Sequence, residues 1–238
     1  MAEPRVRVRQ GPDTGGHPGW EAYLETWAGA HGRHDPSLLP PMVTGWLRVA
    51  YRLARAGRSL GLRPNTVTAL GLGLSAGVVL CAVQGGGWLV LAAALVVASA
   101  MADTVDGALA QVTGTSSRLG RVYDAMADRL SEACWLAALA VLGAGAWLVA
   151  ACGGLTWLHD YLRIKAGTAG TGAARITTVG ERSVRTLVVA LALLLAGLGG
   201  GIGPELPVGA VTAASAIWGL LQATALLQLF AAVQYELR

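Results

Sequence analysis

Charge is scarce in this sequence. Asp, Glu, Lys and Arg make up 13% of the 238 residues, about half the share of a soluble globular domain. Lysine occurs once, at Lys165. The three cysteines, Cys81, Cys134 and Cys152, all lie in apolar runs. They have neither metal-like spacing nor a disulfide pattern, and read as small core residues. The four histidines are scattered, which offers no histidine metal site. His159, beside Asp160 at a span end, is the one to watch, and its expected role is structural. Residues 1–40 lack the apolar core of a signal peptide, and no internal repeat is found. Nothing reads as nucleic-acid binding.

Long apolar runs are what the chain has instead. Hydrophobic residues are 54% of it and the mean hydropathy is +0.52. Six apolar segments, about 66–83, 88–112, 120–142, 146–166, 184–200 and 208–233, reach or approach the roughly 20 residues a span needs. The expected class is therefore all-α: a polytopic membrane protein with six transmembrane helices. Residues 1–40 are polar, with Gly, Pro and charge, and are expected to be a largely disordered cytoplasmic extension, with a short helix around Trp20–Trp27. Residues 41–63 read as an N-terminal interfacial amphipathic helix. There Trp46, Leu47, Val49, Ala50 and Leu53 face one way, and Arg48, Arg52, Arg55 and Arg58 face anionic headgroups. Residues 64–238 are the six-helix membrane domain, begun by Pro64, a residue at home in a first helical turn.

The breaks after segments one, three and five carry no Lys or Arg. All 18 basic residues fall before segment one, around the second-to-third and fourth-to-fifth connections, and at Arg238. By the positive-inside rule both termini lie in the cytoplasm. Heavy use of Ala, Gly and Arg suggests a GC-rich bacterial genome, hence a bacterial cell membrane.

The stretch from Asp103 to Asp128 organises the chain. Helical spacing puts Asp103, Asp106, Gly107, Ala110 and Gly114 on one stripe, and Gly120, Asp124 and Asp128 on a second. On facing helices these make a cup of four carboxylates floored by small residues. Carboxylates in membrane-grade sequence are costly and mark a functional site. An all-oxygen ligand set suits a hard divalent cation, and glycines let a ligand approach the backbone. A cation transporter is the reading outside enzymology, but it would more often show unwound or repeated segments.

Asp103-x2-Asp106-Gly107-x2-Ala110, then Gly120-x3-Asp124-x3-Asp128, resembles the signature of the CDP-alcohol phosphatidyltransferases, D-x2-D-G-x2-A-R-x8-G-x3-D-x3-D. The departure is Gln111, where the family usually has arginine. The resemblance implies Mg²⁺ or Mn²⁺, with two ions held by Asp103, Asp106, Asp124 and Asp128. It implies Asp128 as the general base. It also implies a nucleotide site at Gly107, Ala110, Gln111, Arg118 and Gly120, CDP-diacylglycerol as donor, a membrane setting and a homodimer. Gln111 leaves open a relative that binds nucleotide-lipid without turnover.

The fourth-to-fifth connection is basic. Arg182 and Arg185 lie three apart at a helix start, where the dipole disfavours cations unless an anion is bound. Tyr161 to Ala166 and Glu181 to Arg185 resemble segments of actinobacterial phosphatidylinositol-phosphate synthases. That implies Arg163, Lys165, Arg182 and Arg185 as ligands of a small polar or phosphorylated alcohol, with inositol phosphate favoured. Glycerol 3-phosphate and phosphatidylglycerol stay open as acceptors.

Overall fold

The structure is a computed structural model that describes residues 19–30, 35–200, 203 and 205–238. Eight α-helices and two short 3₁₀ turns, and no strand, occur among them. The helices are α1 (Trp20–Ala30), α2 (Pro41–Ser59), α3 (Pro64–Gln84), α4 (Trp88–Thr113), α5 (Arg118–Val141), α6 (Ala146–Thr168), α7 (Arg182–Gly199) and α8 (Glu205–Leu237). Helices α3 to α8 fall on the six apolar segments read from the sequence, each within a few residues at either end.

Four of them, α3, α4, α7 and α8, are long and apolar enough to cross a membrane. Helices α5 and α6 have comparable length but differ in composition. Charges crowd the first half of α5, from Arg118 to Glu132, and the last turns of α6, from His159 to Lys165. Those halves lie at the same end of the bundle as the C-terminus of α4 and the N-terminus of α7, because they are joined by ion pairs described below. The molecule is a multi-pass membrane protein with one polar end.

At the other end the helices bury a continuous apolar cluster. It contains Val78, Leu89, Val96, Trp135, Leu139, Val189, Leu193 and Trp218. Small residues allow close approach. A Cβ on Gly197 of α7 would lie 2.9 Å from the backbone nitrogen of Val90 on α4, and backbone cannot move aside cheaply. Gly197→Ala is expected to force α7 off α4 and cost about 1–3 kcal/mol by overpacking. An unchanged melting temperature in detergent would contradict this contact.

A second cluster covers the polar end. Tyr23 of α1, Leu47, Ala50, Tyr51 and Ala54 of α2, Val67 of α3, and Val105, Leu109 and Val112 of α4 are buried together. The buried face of α2 is therefore 47, 50, 51, 54 and 57. The sequence groups Val49 and Leu53 with Leu47 and Ala50 on one apolar face; Leu47 and Ala50 are buried, and Val49 and Leu53 are exposed. Three of the four arginines on α2 meet partners inside the molecule. Arg48 lies over the Trp20 ring, Arg55 over Tyr51, and Arg58 donates to the Val112 carbonyl at 3.0 Å. That last bond satisfies a carbonyl of the final turn of α4, where a cation is favoured. Within the stretch read as a disordered extension, Trp20–Ala30 is a helix with Tyr23 buried. Residues 1–18 and 31–34 of that stretch lie outside the described residues.

Candidate active site

Along α4, Asp103 and Asp106 follow the residues of the first apolar cluster and alternate with those of the second, Ala102, Val105 and Leu109 among them. Asp103 and Asp106 are three residues apart, hence about 60° apart around the helix. That angle separates their fates. Asp103 turns toward α5 and α7. Asp106 turns toward α3, is 5% exposed, and accepts a 2.5 Å hydrogen bond from the Thr68 hydroxyl. Gly114, at φ 66° in the left-handed region, then ends α4.

Helix α5 starts at an N-cap, Ser117, whose hydroxyl accepts from the Gly120 backbone N–H at 2.9 Å. Capping by serine fixes where this helix begins, and so which way Asp124 and Asp128 face. A Cβ on Gly120 would lie 3.0 Å from that Ser117 oxygen. One carboxylate oxygen each from Asp103, Asp124 and Asp128 lie within 4.8 Å of one another. The four-carboxylate cup of the sequence reading is thus three clustered carboxylates, and Asp106 shares a small cavity with two of them, Asp103 and Asp128.

Helix α7 closes the site. Arg182 is its first residue, a poor place for a cation by the dipole rule. The structure supplies the compensating anions from within. The Arg182 Nη1 lies 2.6 Å from Asp103 Oδ1 and also pairs with Asp128 Oδ1. Its guanidinium sits over the Trp135 ring at 5.8 Å. Trp135 in turn donates to Ser75 at 3.2 Å, and Ser75 pairs with Ser99 at 2.7 Å, so the floor of the site ties α3, α4 and α5.

The remaining expected residues fall in different places. Gly107 is exposed, with nothing within 4 Å of an added Cβ. Arg118 is exposed, and Ala110 and Gln111 are half-buried. Arg163 donates to Glu181 Oε1 at 2.9 Å and to Thr178 at 3.3 Å. Burial pushes the Glu181 carboxyl up, but hydrogen bonds from Thr178 and Arg163 outweigh it and hold it below the usual glutamate range. Lys165 is exposed, 5.5 Å from the centre of the Tyr161 ring. Arg185 is 2% exposed and faces Glu132, not the cavity.

Sequence reasoning missed four partners. Thr68 carries no signal of its own. Glu132 does: it continues the four-residue step of Asp124 and Asp128 on α5. Asp160 pairs with Arg129 and stands beside His159, which is buried and 3.3 Å from Thr178. Ser117 is an N-cap serine before a helix start, a legible signal.

The donors in the cluster are all carboxylate oxygen, close enough together to share a cation. That set fits Mg²⁺ or Mn²⁺ and does not fit a soft metal. Fold and site together define a multi-pass helical membrane protein with a cluster of carboxylates at its polar end that could hold a hard divalent cation.

The comparisons agree. The family model for CDP-alcohol phosphatidyltransferases matches residues 62–231. The archaetidylinositol phosphate synthase of Pyrococcus horikoshii is 31% identical over 147 residues, 60% of this chain and 75% of that one. Its namesake from Aeropyrum pernix is 35% identical over 99 residues, 40% of this chain and 50% of that one. Among solved structures, phosphatidylinositol phosphate synthase of Mycobacterium tuberculosis with CDP-DAG bound superposes with a TM-score of 0.63 at 24% identity, covering 78% of this chain and 94% of that one. The same enzyme in complex with manganese and citrate gives 0.63 at 23% identity, covering 78% and 88%. These two likenesses establish the fold. The chain belongs to the CDP-alcohol phosphatidyltransferase family. It is a metal-dependent membrane transferase of phospholipid biosynthesis.

Proposed function

We propose that this enzyme transfers a phosphatidyl group from CDP-diacylglycerol to a hydroxyl of inositol phosphate and releases CMP. The observation that carries the reading is the meeting of Asp103, Asp124 and Asp128 with Arg182. It joins the carboxylate signature to the basic connection in one place. Donor and acceptor class are supported by the relatives, two named for an inositol phosphate product and one holding CDP-DAG.

Asp103, Asp106, Asp124 and Asp128 would hold two ions, Mg²⁺ or Mn²⁺. When bound, such ions neutralise the diphosphate and stabilise CMP as it leaves. Asp128 takes the proton of the acceptor hydroxyl, which needs a base within hydrogen-bond reach. The hydroxyl oxygen then bonds to the lipid-side phosphorus, and the bond from that phosphorus to the bridging oxygen breaks. Gly107, Ala110, Gln111, Arg118 and Gly120 line the nucleotide side. Open space at Gly107 supports that role. Arg182, with Arg163 and Lys165, draws the acceptor phosphate.

The same reading covers the setting. Helices α3 to α8 make six spans, with α2 lying at the interface where lipid tails enter. The site faces the cytoplasm of a bacterial cell membrane, and the enzyme works as a homodimer. The dominance of arginine at the site's end supports the orientation.

The test is CMP release by purified protein with CDP-diacylglycerol and Mg²⁺ or Mn²⁺, offered inositol phosphate, inositol, glycerol 3-phosphate or phosphatidylglycerol. CMP with inositol phosphate, abolished by chelator, is the expected result. CMP with glycerol 3-phosphate or phosphatidylglycerol alone would reassign the acceptor, and no CMP with any would sink the reaction. Arg182→Ala is expected to raise the acceptor KM about tenfold or more, the worth of one charge-assisted hydrogen bond, with a smaller effect on the CDP-lipid KM. Equal effects on both would make Arg182 a topology charge.

A further inference from the structure

Arg182 is not alone on its face of α7. Three residues on, Arg185 faces Glu132, which lies four residues beyond Asp128 on α5. Helical spacing makes these two rungs of one ladder: Asp128 with Arg182, and Glu132 with Arg185. The rungs differ in burial. Arg182 and Asp128 have side chains 18% and 22% exposed, whereas Arg185 and Glu132 have 3% and 1%.

The inner rung is bonded on several sides. Arg185 donates to Glu132 Oε1 from Nε at 3.0 Å and from Nη2 at 2.6 Å. Its Nη1 donates to the Gly180 carbonyl and, at 3.2 Å, to Gln222 Oε1. Gln222 is fully buried on α8. Glu132 Oε2 lies 3.0 Å from Arg129 Nη1, and Arg129 pairs onward with Asp160 of α6. One guanidinium thus joins α5, α7, α8 and the loop before α7. Four of the five N–H donors of this buried cation are so engaged, and Arg185 does not line the cavity.

We infer that the Glu132–Arg185 rung fixes the register of α7 on α5 and so holds Arg182 across Asp103 and Asp128. Glu132 and Arg185 are positioning residues. They act on the acceptor and on the metal carboxylates only through Arg182. This rests on the reading of Arg182 given above. It narrows the set of acceptor ligands: Arg185 supports the phosphate site without touching it. Burial alone would equally suit a plain structural staple. The difference is transmission, because a staple could be replaced by apolar packing without moving Arg182.

The decisive variant is Glu132→Leu with Arg185→Met. Replacing a buried ion pair by apolar residues of similar size is often neutral or stabilising, so the fold is expected to persist. Mn²⁺ affinity is measured by titration calorimetry without substrate, and the acceptor KM by CMP release. Arg182→Ala is the benchmark. Removing its cation from two carboxylates is expected to tighten Mn²⁺ binding severalfold and raise the acceptor KM. The double variant is expected to reproduce most of both shifts, and Arg182→Ala added to it to change little more. Glu132→Asp, which keeps the charge and shortens the reach, is expected to move both quantities the same way by less, and it serves if the double variant does not fold.

Wild-type Mn²⁺ affinity and acceptor KM in a folded double variant, or in Glu132→Asp, would reduce the rung to a staple and overturn the inference. So would an Arg182→Ala variant that alters neither quantity. If the wild type releases no CMP with any acceptor, the proposed reaction fails, while the Mn²⁺ titration still decides the positioning role.

Discussion

Asp128→Asn is expected to lower CMP release by about 10²–10⁴-fold, the range that a positioned general base supplies. The substitution preserves shape. Arg182 keeps its contact with Asp103 of α4, and Arg185 still ties α7 to Glu132 of α5, so the melting temperature should hold. Mn²⁺ binding measured alongside divides the two roles proposed for this carboxylate. Retained binding with lost turnover would locate the base; joint loss would make Asp128 chiefly a metal ligand. Turnover near that of the wild type, with a folded protein, would remove Asp128 from both roles.

The second large effect is on stability. Arg185→Ala is expected to cost about 3–5 kcal/mol, because it strands a buried carboxylate. Glu132 is 1% exposed, and the substitution would leave it with Arg129 alone. Gly180 and Gln222 would lose a donor as well. A melting temperature in detergent close to the wild-type value would show that the pair is better hydrated, or more weakly coupled, than its geometry indicates. Arg185→Lys would recover only part of the loss, since an ammonium cannot reproduce the bonds that the planar fork makes to Glu132, Gly180 and Gln222 at once.

The two expectations divide α7 by function. Its first residue faces Asp103 and Asp128 and is proposed to act on affinity. The arginine one turn on is locked in the interior and acts first on stability. Both are arginines at the start of one helix, and by composition they are indistinguishable.

Much was legible without coordinates. Apolar run length located helices α3 to α8, because a span needs a set number of residues and tolerates few charges. The spacing of the aspartates identified the family, since three- and four-residue steps fix which side chains share a helical face. The oxygen-only character of the candidate ligands points to a hard divalent cation. These are local properties, written in residue type and interval.

Only the tertiary structure decided where each face points. Asp106 belongs to the signature, yet it turns to Thr68 because a three-residue step rotates it toward α3. Gly120 was read as room for a ligand, and in the structure it also closes against the Ser117 cap. The sequence groups Leu47, Val49, Ala50 and Leu53 on one apolar face of α2, and packing divides it: Leu47 and Ala50 are buried with Tyr51 and Ala54 against α1 and α4, while Val49 and Leu53 are exposed. Arg182 and Arg185 parted company because α5 presents Asp128 to one and Glu132 to the other. A sequence sets the angle between two side chains on one helix; which neighbour fills that angle is set by packing between helices far apart in the chain.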